Sequence, residues 1–187
     1  MSDTILPAGS LDNLKTYLRI SSSDSSKDAL LNLLLESCTQ AAEVYIGRYI
    51  IARDIIEEPH DFDGVKSRYL QLDQYPVCKI NSIMQNGESL DVASLKADMY
   101  NGLVKKSSPW RGVVLVSYKA GIAAGLEDVP KNIQLALWRW IESILSEQES
   151  GGLKSETLGD YSVSYYDERQ IPPASALLLE SYRKVNL

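Results

Sequence analysis

The fold of the middle of the chain is indicated by one stretch, INSIMQNGESLDV, which spans residues 80–92. Asn86 and Gly87 lie at its centre, and both residue types tolerate the positive φ angles that a two-residue hairpin turn needs. Apolar residues flank this pair on both sides: Ile80, Ile83 and Met84 before it, Leu90 and Val92 after it. The stretch therefore predicts an antiparallel β-hairpin.

The alternation of apolar and polar residues continues on both sides of this hairpin, over residues 48–119. Turn dipeptides recur at Asp63-Gly64, which predicts a hairpin turn, and at Asn101-Gly102. Trp110 precedes the last apolar run and is expected to cover a sheet edge. We expect an antiparallel β segment with strands at 49–57, 68–72, 79–85, 89–92, 99–105 with a turn inside it, and 113–119.

Helical periodicity precedes the β segment. Ser10 can cap a short helix over residues 11–18, and a serine-rich loop follows at 21–26. A second helix is expected from about residue 27 to Gly47, because glycine can adopt the left-handed conformation that ends a helix. Its main apolar face consists of Leu30, Leu34, Cys38, Ala41 and Tyr45, and a second row widens that face: Leu31, Leu35, Ala42 and Ile46.

Helical periodicity returns after the β segment. Asp128 can cap a third helix that runs to about residue 148, with Pro130 in its first turn. This helix is apolar over more than half its circumference, which is typical of burial inside the chain or at a subunit interface. Its candidate subunit-packing residues are Leu137, Trp138, Trp140 and Ile144. The pair Pro172-Pro173 introduces a last helix, whose expected apolar face is Leu178, Tyr182 and Val185.

An extended arm is expected between the third and the last helix. Gly151 and Gly152 end the third helix and begin a flexible stretch. Within it Tyr161, Val163 and Tyr165 alternate with serines, which predicts a strand-like segment with one apolar face. This segment has no obvious hairpin partner in the sequence.

These elements predict an α+β fold: a helical core of about four helices, an antiparallel β insertion between helices 2 and 3, and an extended C-terminal arm. We expect a single domain over residues 1–187, because one core can accommodate a chain of this length. Its expected parts are a helix pair (10–47), the β insertion (48–127), the third helix (128–148), the flexible arm (149–171) and the terminal helix (172–187).

Composition excludes several classes of protein. The 19 basic and 25 acidic residues give a formal charge of -6, so the chain has no general basic footprint for nucleic acid. No apolar run approaches the roughly 18 residues that a membrane span needs, and the first residues lack a secretory signal. The two cysteines, Cys38 and Cys78, form no disulfide framework, which favours a reducing, cytosolic setting.

Candidate catalytic groups are few. His60 is the single histidine, so any site that needs several histidines is excluded, and a Ser-His-Asp triad would have to use it. Its acidic neighbours do not follow the calcium-loop spacing: Glu57, Glu58, Asp61 and Asp63.

A glycine pair and the two cysteines are further candidates for a chemical role. Gly121 and Gly125 lack the Lys-Ser/Thr of a phosphate loop and predict a flexible strand-to-helix link. Neither cysteine has a nearby basic residue plus histidine arranged to activate a thiolate, so both are interpreted as packing residues. We therefore expect no enzyme, no metal and no cofactor.

Eight segments, taken in order, carry a resemblance to a known family. They are LKTYLRI (14–20), DALL (28–31), YIGR (45–48), LDQYPV (72–77), VSYKAG (116–121), VPKNIQLA (129–136), SETLGDYSVSY (155–165) and LLESYR (178–183). Their order resembles the head-to-tail connector family of tailed bacteriophages, also called adaptor or head-completion proteins. None of the segments is a catalytic signature.

The resemblance implies a structural virion protein that forms a ring beneath the portal, extends the DNA channel and links the filled head to the tail. The implied partners are the portal protein, a tail-completion protein and further copies of the chain, with a dodecamer expected in the virion. Double-stranded DNA would pass through without specific binding, and no membrane is involved. The implied location is the virion neck, after synthesis in the cytoplasm of the bacterial host.

The resemblance also suggests a role for the arm. In that family the helices of the chain would make the ring, while the C-terminal region docks on the portal. We hypothesise that the arm adds as a strand to a sheet edge of the portal, through Leu158, Tyr161, Val163 and Tyr165. The arm could instead fold back on the β segment of its own chain.

Two other functions stay open from the sequence. One is another structural protein of the neck, or a tail-completion protein. The other is a metal-dependent phage hydrolase that uses the acidic cluster around His60.

Overall fold

The computed structural model describes residues 7–149, 155–158, 161–164 and 171–184. The chain divides into two compact units. The helical unit comprises residues 1–47 and 129–187, and the β unit comprises residues 48–128. The α+β class with a β segment between the second and third helices is therefore confirmed.

The described part of the helical unit contains four α-helices: α1 (Leu11–Tyr17), α2 (Asp28–Ile46), α3 (Lys131–Glu149) and α4 (Pro173–Leu179). Gly47 ends α2 as predicted, with φ +70° and its N–H donated to the Glu43 carbonyl at 2.8 Å. Ser10 stands at the N-cap of α1, but its side chain makes no capping hydrogen bond.

A buried lysine fixes the loop between α1 and α2. The Lys15 side chain is 3% exposed, and its Nζ lies 2.8 Å from Asp28 Oδ1. The same Nζ donates to the Ser22 carbonyl at 3.2 Å. Because a buried ammonium needs such partners, the serine-rich loop is tied to the first turn of α2.

The buried side of α2 is the row that the sequence pattern placed second. Leu31, Leu35, Ala42 and Ile46 are buried, together with Cys38. The row predicted as the main face is half-buried: Leu30, Leu34, Ala41 and Tyr45. Periodicity alone cannot tell which of two adjacent apolar rows meets the neighbouring helix, and α2 packs on α3.

The predicted cap of α3 is wrong. Asp128 lies in a 3-10 turn, Leu126–Asp128, and α3 begins at Lys131. The Pro130 carbonyl accepts the first helical hydrogen bonds, from Ile133 N at 3.0 Å and Gln134 N at 3.2 Å. Proline fixes φ at a helical value, so it begins the helix without a side-chain cap.

The last helix is shorter than predicted and buries another face. It ends at Leu179 and continues as a 3-10 turn, Glu180–Tyr182. Ser175 and Leu179 are buried, and Ser175 Oγ donates to the Ala136 carbonyl of α3 at 2.8 Å. Leu178 and Tyr182 are only half-buried, because contact with α3 sets the face, and Val185 lies outside the described residues.

Seven strands form two antiparallel sheets in the β unit: β1 (Arg53–Asp61), β2 (Tyr69–Gln71), β3 (Val77–Gln85), β4 (Glu88–Leu90), β5 (Lys96–Asp98), β6 (Leu103–Lys105) and β7 (Val113–Ala120). One sheet has the order β1-β7-β3-β4 and the other the order β2-β6-β5. The Asn86-Gly87 hairpin is confirmed: both φ angles are positive, at 52° and 83°, and Gln85 pairs with Glu88. Asn101-Gly102 likewise joins β5 to β6.

Asp63-Gly64 does not close a hairpin. The turn is closed by Val65 N, which donates to the Phe62 carbonyl at 3.1 Å. However, β1 pairs with β7 and β2 pairs with β6, so the turn joins strands of different sheets. A turn dipeptide predicts the turn but not which strands pair.

The first strand lies four residues later than predicted at both ends. Residues 49–52 instead bond the loop after β7: Ile122 N donates to the Tyr49 carbonyl at 2.9 Å, and Ala123 N to the Ile50 carbonyl at 2.8 Å. Gly121 is packed against the Ala52 backbone. The loop that begins at Gly121 is thus held by backbone hydrogen bonds, and the interpretation as a flexible link is wrong.

The core of the β unit lies under both sheets. Its fully buried side chains include Leu70, Ile83, Val114, Val116 and Tyr118. Trp110 is also 0% exposed and stacks on Phe62 with ring centroids 6.0 Å apart. Its backbone N–H donates to the Ser67 carbonyl at 2.8 Å, just before the edge strand β2.

The arm contains a hairpin of its own. Strands β8 (Ser155–Leu158) and β9 (Tyr161–Ser164) pair antiparallel, with Leu158 opposite Tyr161 and Ser155 opposite Ser164. The predicted strand-like segment is confirmed over 161–164, and its partner is the segment just before it. Period-two alternation is weak in 155–158, so the sequence pattern did not reveal that partner.

Candidate functional site

A β-bulge in β1 brings Glu58 to the inner side of its sheet. The register moves from Ile55 opposite Tyr118 to Glu58 opposite Val116, so one extra residue stands in β1. Glu57 lies in this bulge with a positive φ of +54°, and its N–H donates to Ser117 Oγ at 3.0 Å. Bulges re-aim the side chains that follow them, which explains how a carboxylate reaches the half-buried face.

Glu58 is the centre of a hydrogen-bonded cluster. Its Oε2 accepts from the Tyr118 hydroxyl, and its Oε1 accepts the Asp73 N–H at 3.0 Å. His60 Nε2 lies 2.8 Å from Oε1. The Tyr118 oxygen in turn accepts the Gln74 N–H at 3.1 Å. Sequence reasoning noted the carboxylates around His60 but missed Tyr118, which only the strand register brings to Glu58.

The cluster favours one protonation state. Burial disfavours the charged carboxylate, but hydrogen bonds from His60, Tyr118 and the Asp73 backbone hold the pKa of Glu58 below its ordinary value. Burial, and next the bond to Glu58, raise the pKa of Tyr118. Both groups therefore stay in the forms that bond best, an ionised Glu58 and a neutral Tyr118.

The hydrogen bonds of this cluster link β1 to β7 and to the backbone at Asp73. Both Glu58 oxygens accept hydrogen bonds from groups of the same chain. Among the residues that the structure describes, no group of three or more His, Cys, Asp or Glu side chains could hold a metal ion. The geometry thus offers no support for a metal-dependent hydrolase at His60.

The two cysteines differ in their surroundings. Cys38 is buried in α2, and desolvation raises the pKa of its thiol to about 12. It is a packing residue, as predicted. Cys78 is exposed on β3, so the same interpretation is wrong for Cys78.

One cavity of about 390 Å³ lies beside the turn after β1. Its walls include Phe62, Val65, Pro109 and Trp110, and its cations are Lys66 and Arg111. The Trp110 Nε1 hydrogen has no acceptor among the described residues. The described lining contains no nucleophile paired with a base.

The candidate subunit-packing residues of α3 fall into two groups. Leu137 is fully buried inside the chain, and Trp140 is nearly so. Trp138 and Ile144 are half-buried, and Trp138 packs on Tyr17 with ring centroids 5.6 Å apart. Only the second group reaches the surface, because one helix turn alternates between the core and the outside.

The helical unit also exposes apolar side chains that the sequence pattern did not single out. Leu33 is 59% exposed and Val44 79% exposed, and both lie on the outer side of α2. Eleven residues separate them, or about three helical turns, which places them in one line. An exposed apolar line on a long helix is typical of a contact with another molecule.

The structure gives the backbone of the arm hairpin only. Leu158, Tyr161 and Val163 lie in the paired strands β8 and β9. Tyr165 lies outside the described residues. Three of the four candidate portal-binding residues therefore lie in one hairpin.

The three-stranded sheet exposes a basic outer face. Lys96 and Lys105 stand directly opposite each other, and Lys105 stands opposite Tyr69. The Lys105 Nζ lies 5.0 Å from the Tyr69 ring centroid. A cavity of about 200 Å³ opens here, lined by Ser94, Lys96, Lys105, Lys106 and Ser107. We call Lys96, Lys105, Lys106 and Tyr69 the lysine face; the sequence missed it because strand pairing assembles it.

Within the described part of the chain, no helix is both long and apolar enough to cross a membrane.

Comparison with known proteins finds one matching family and several solved structures of similar fold. The head completion protein family matches residues 9–185. No curated protein sequence matches the chain.

Solved structures of the same fold come from gene transfer agent particles. A chain in the neck of an empty particle, computed with C6 symmetry, has a TM-score of 0.61 at 18% identity and covers 98% of this chain and 91% of its own length. A chain in the native neck, computed with C12 symmetry, has a TM-score of 0.57 at 16% identity, covering 98% and 94%. A chain of the native virion has a TM-score of 0.61 at 16% identity, covering 99% and 95%. At these identities the likeness shows a shared fold.

Proposed function

The chain belongs to the head completion protein family, whose match spans residues 9–185, and on this premise we propose how it acts as a structural head-tail connector in the virion neck. Its copies form a ring beneath the portal that extends the DNA channel. The filled head is thereby linked to the tail. The family match is the observation that carries this proposal.

The partners of the ring are the portal protein on the head side and a tail-completion protein on the tail side. The neck structures of similar fold were computed with C6 and C12 symmetry, which supports a dodecamer as the form in the virion. A closed ring needs a head-to-tail contact that repeats between neighbouring copies. The chain has no enzymatic role, because the described clusters bind one another rather than a substrate.

Contacts of the helical unit hold the ring together. Trp138 and Ile144 are half-buried and can add to the exposed line of Leu33 and Val44. Leu137 and Trp140 support the same helix from inside. Burying such apolar side chains against a neighbour stabilises the contact by about 25 cal/mol per Å² of area removed from water.

The arm attaches the ring to the portal. Leu158, Tyr161, Val163 and Tyr165 supply its apolar contacts, and its backbone offers strand hydrogen bonds to a sheet edge. The pairing of β8 with β9 supports this role, because a preformed hairpin needs less ordering when it binds.

DNA passes through the ring without specific binding. The formal charge of -6 supports this, because a wall without excess cations does not hold phosphates.

Native mass spectrometry across a concentration series, followed by co-purification with isolated portal, tests the proposal. A closed ring, or assembly of a ring on the portal, is the expected result. Binding to isolated tail tube in place of portal would assign the chain to tail completion. A chain that remains a monomer and joins neither partner would overturn the connector role.

A further inference from the structure

Within one subunit, the described acidic side chains do not form ion pairs with Lys96 and Lys105 of the lysine face. Lys96 and Lys105 are directly opposed across β5 and β6, and like charges in that position repel. Neither lysine forms an ion pair with any residue that the structure describes. Asp98, on the same side of the sheet, is engaged by the backbone and side-chain N–H groups of Asn101 at 3.1 and 2.8 Å.

Lys106 is held beside this pair. Its Nζ donates to Gln85 Oε1 at 2.6 Å, and it lies 5.1 Å from the Trp110 ring. Lys106 lines the same cavity as Lys96 and Lys105, together with Ser94 and Ser107. Such a cavity is complementary to carboxylate groups, which would accept hydrogen bonds from both kinds of donor.

Strand β1 carries a complementary surface. Glu57 and Asp61 are both exposed, and neither forms an ion pair in the described part of the chain. Ile56, next to Glu57, is 74% exposed. The lysine face has a matching apolar group, since Tyr69 is 48% exposed beside Lys105.

We propose that the lysine face receives Glu57 and Asp61 of a second copy, with Ile56 of that copy against the Tyr69 ring. The contact rests on the proposed function, since it is one of the contacts that would join neighbouring subunits of the ring. It also explains how copies with a formal charge of -6 attract each other locally.

The two surfaces belong to different sides of the β unit. β1 is one edge of the four-stranded sheet, and β4 is the other. The lysine face adjoins the β3–β4 side, because Lys106 binds Gln85 at the end of β3. A contact between unlike surfaces is heterologous, and repeated heterologous contacts form a ring when the rotation between neighbouring copies closes.

A second copy fits this face better than DNA does. A duplex would meet the lysines together with the excess negative charge of the rest of the subunit. A neighbouring subunit supplies carboxylates and an apolar side chain in the same patch, and both match groups of the lysine face.

Charge reversal and charge exchange test the contact. The variants are K96E/K105E, E57K/D61K and the fourfold combination, and K79E/K131E is a control with the same charge change as the first at other exposed lysines. We expect each double reversal to weaken self-association in sedimentation velocity about tenfold. The fourfold variant should regain it, and mixing the two double variants should restore assembly in which the two variants alternate. Equal weakening by the control, or no recovery on exchange, would overturn the contact.

Carbodiimide cross-linking of mixed ¹⁴N- and ¹⁵N-labelled wild-type protein, alone and with portal, locates the contact. We expect mixed-isotope links between Lys96 or Lys105 and Glu57 or Asp61. Rings that lack these links refute this contact and leave the connector role intact, whereas absence of any ring with portal refutes the connector role itself. Binding of a labelled duplex that K96E/K105E abolishes would instead assign the lysine face to DNA.

Discussion

The carboxylate of Glu58 on β1 accepts a hydrogen bond from the hydroxyl of Tyr118 on β7, and a β-bulge in β1 places Glu58 on the inner side of the sheet. A carboxylate that points inward from an edge strand also discourages pairing with foreign strands. Pro59 in the same strand lacks an N–H and has the same effect. The edge of the four-stranded sheet is thus protected, and β1 is available for side-chain contacts.

Replacing Glu58 should change the acid stability of the protein. Because the pKa of Glu58 is lowered in the folded state, its contribution is complete above the unfolded value of 4.5 and is lost as the pH falls through the lower folded value. We expect Glu58→Gln to lower the free energy of unfolding at neutral pH by about 1–3 kcal/mol. Urea unfolding should show that this difference shrinks below about pH 4.5. A difference that stays constant across this range would contradict the assignment.

Gly121 and Gly125 provide a matched pair of substitutions. A Cβ at Gly121 would lie within 2.5 Å of the Ala52 backbone nitrogen, whereas a Cβ at Gly125 meets nothing within 4 Å. We expect Gly121→Ala to destabilise the protein by more than about 2 kcal/mol, because backbone cannot move aside cheaply. Gly125→Ala should change stability by less than about 1 kcal/mol. Thermal unfolding of both variants measures the two effects. Equal effects would show that Gly121 does not pack closely against the Ala52 backbone.

Alanine substitutions at Leu137 and Ile144 should affect different quantities, the first mainly the stability of the fold and the second mainly ring formation. Leu137→Ala removes a fully buried side chain and should lower the free energy of unfolding by about 2–5 kcal/mol. Ile144→Ala removes a half-buried side chain, so its effect on unfolding should be smaller while ring formation weakens. Chemical unfolding and native mass spectrometry measure the two quantities. Unimpaired ring formation by Ile144→Ala would remove Ile144 from the proposed interface.

Deleting residues 153–165 should abolish attachment to the portal while the helical unit stays folded. The expected loss follows from removal of the whole hairpin and its apolar side chains. Co-purification measures attachment, and circular dichroism checks the fold. A Gly/Ser segment of equal length is the control for spacing. A deletion variant that still binds portal would exclude the arm as the docking element.

The cysteines should react at very different rates. Cys78 is exposed, whereas burial raises the pKa of the Cys38 thiol to about 12 and shields it from reagents. Iodoacetamide should therefore modify one thiol in the native protein and two after unfolding. Mass spectrometry counts the adducts, and Cys78→Ser should remove the native reaction. Rapid native modification of Cys38 would show that α2 opens readily.

Local patterns were sufficient for the parts of the fold that depend on near neighbours in the chain. Asn86-Gly87 and Asn101-Gly102 specify tight turns, and Gly47 specifies a helix end, because the required φ angles suit only a few residue types. The order of elements and the family resemblance also follow from the chain, since both depend on residues in sequence. The sequence alone therefore determined the α+β class and the connector role.

Tertiary structure decided everything that depends on which elements meet. Strand register brought Tyr118 to Glu58 and set Lys96 against Lys105, and both pairs are distant in the sequence. Folding also buried Trp110, which no local pattern indicated. Packing of α2 and α4 on α3 selected which apolar row is buried. The physical reason is that periodicity reports how a segment could divide between core and solvent, whereas the partner that covers it comes from elsewhere in the chain.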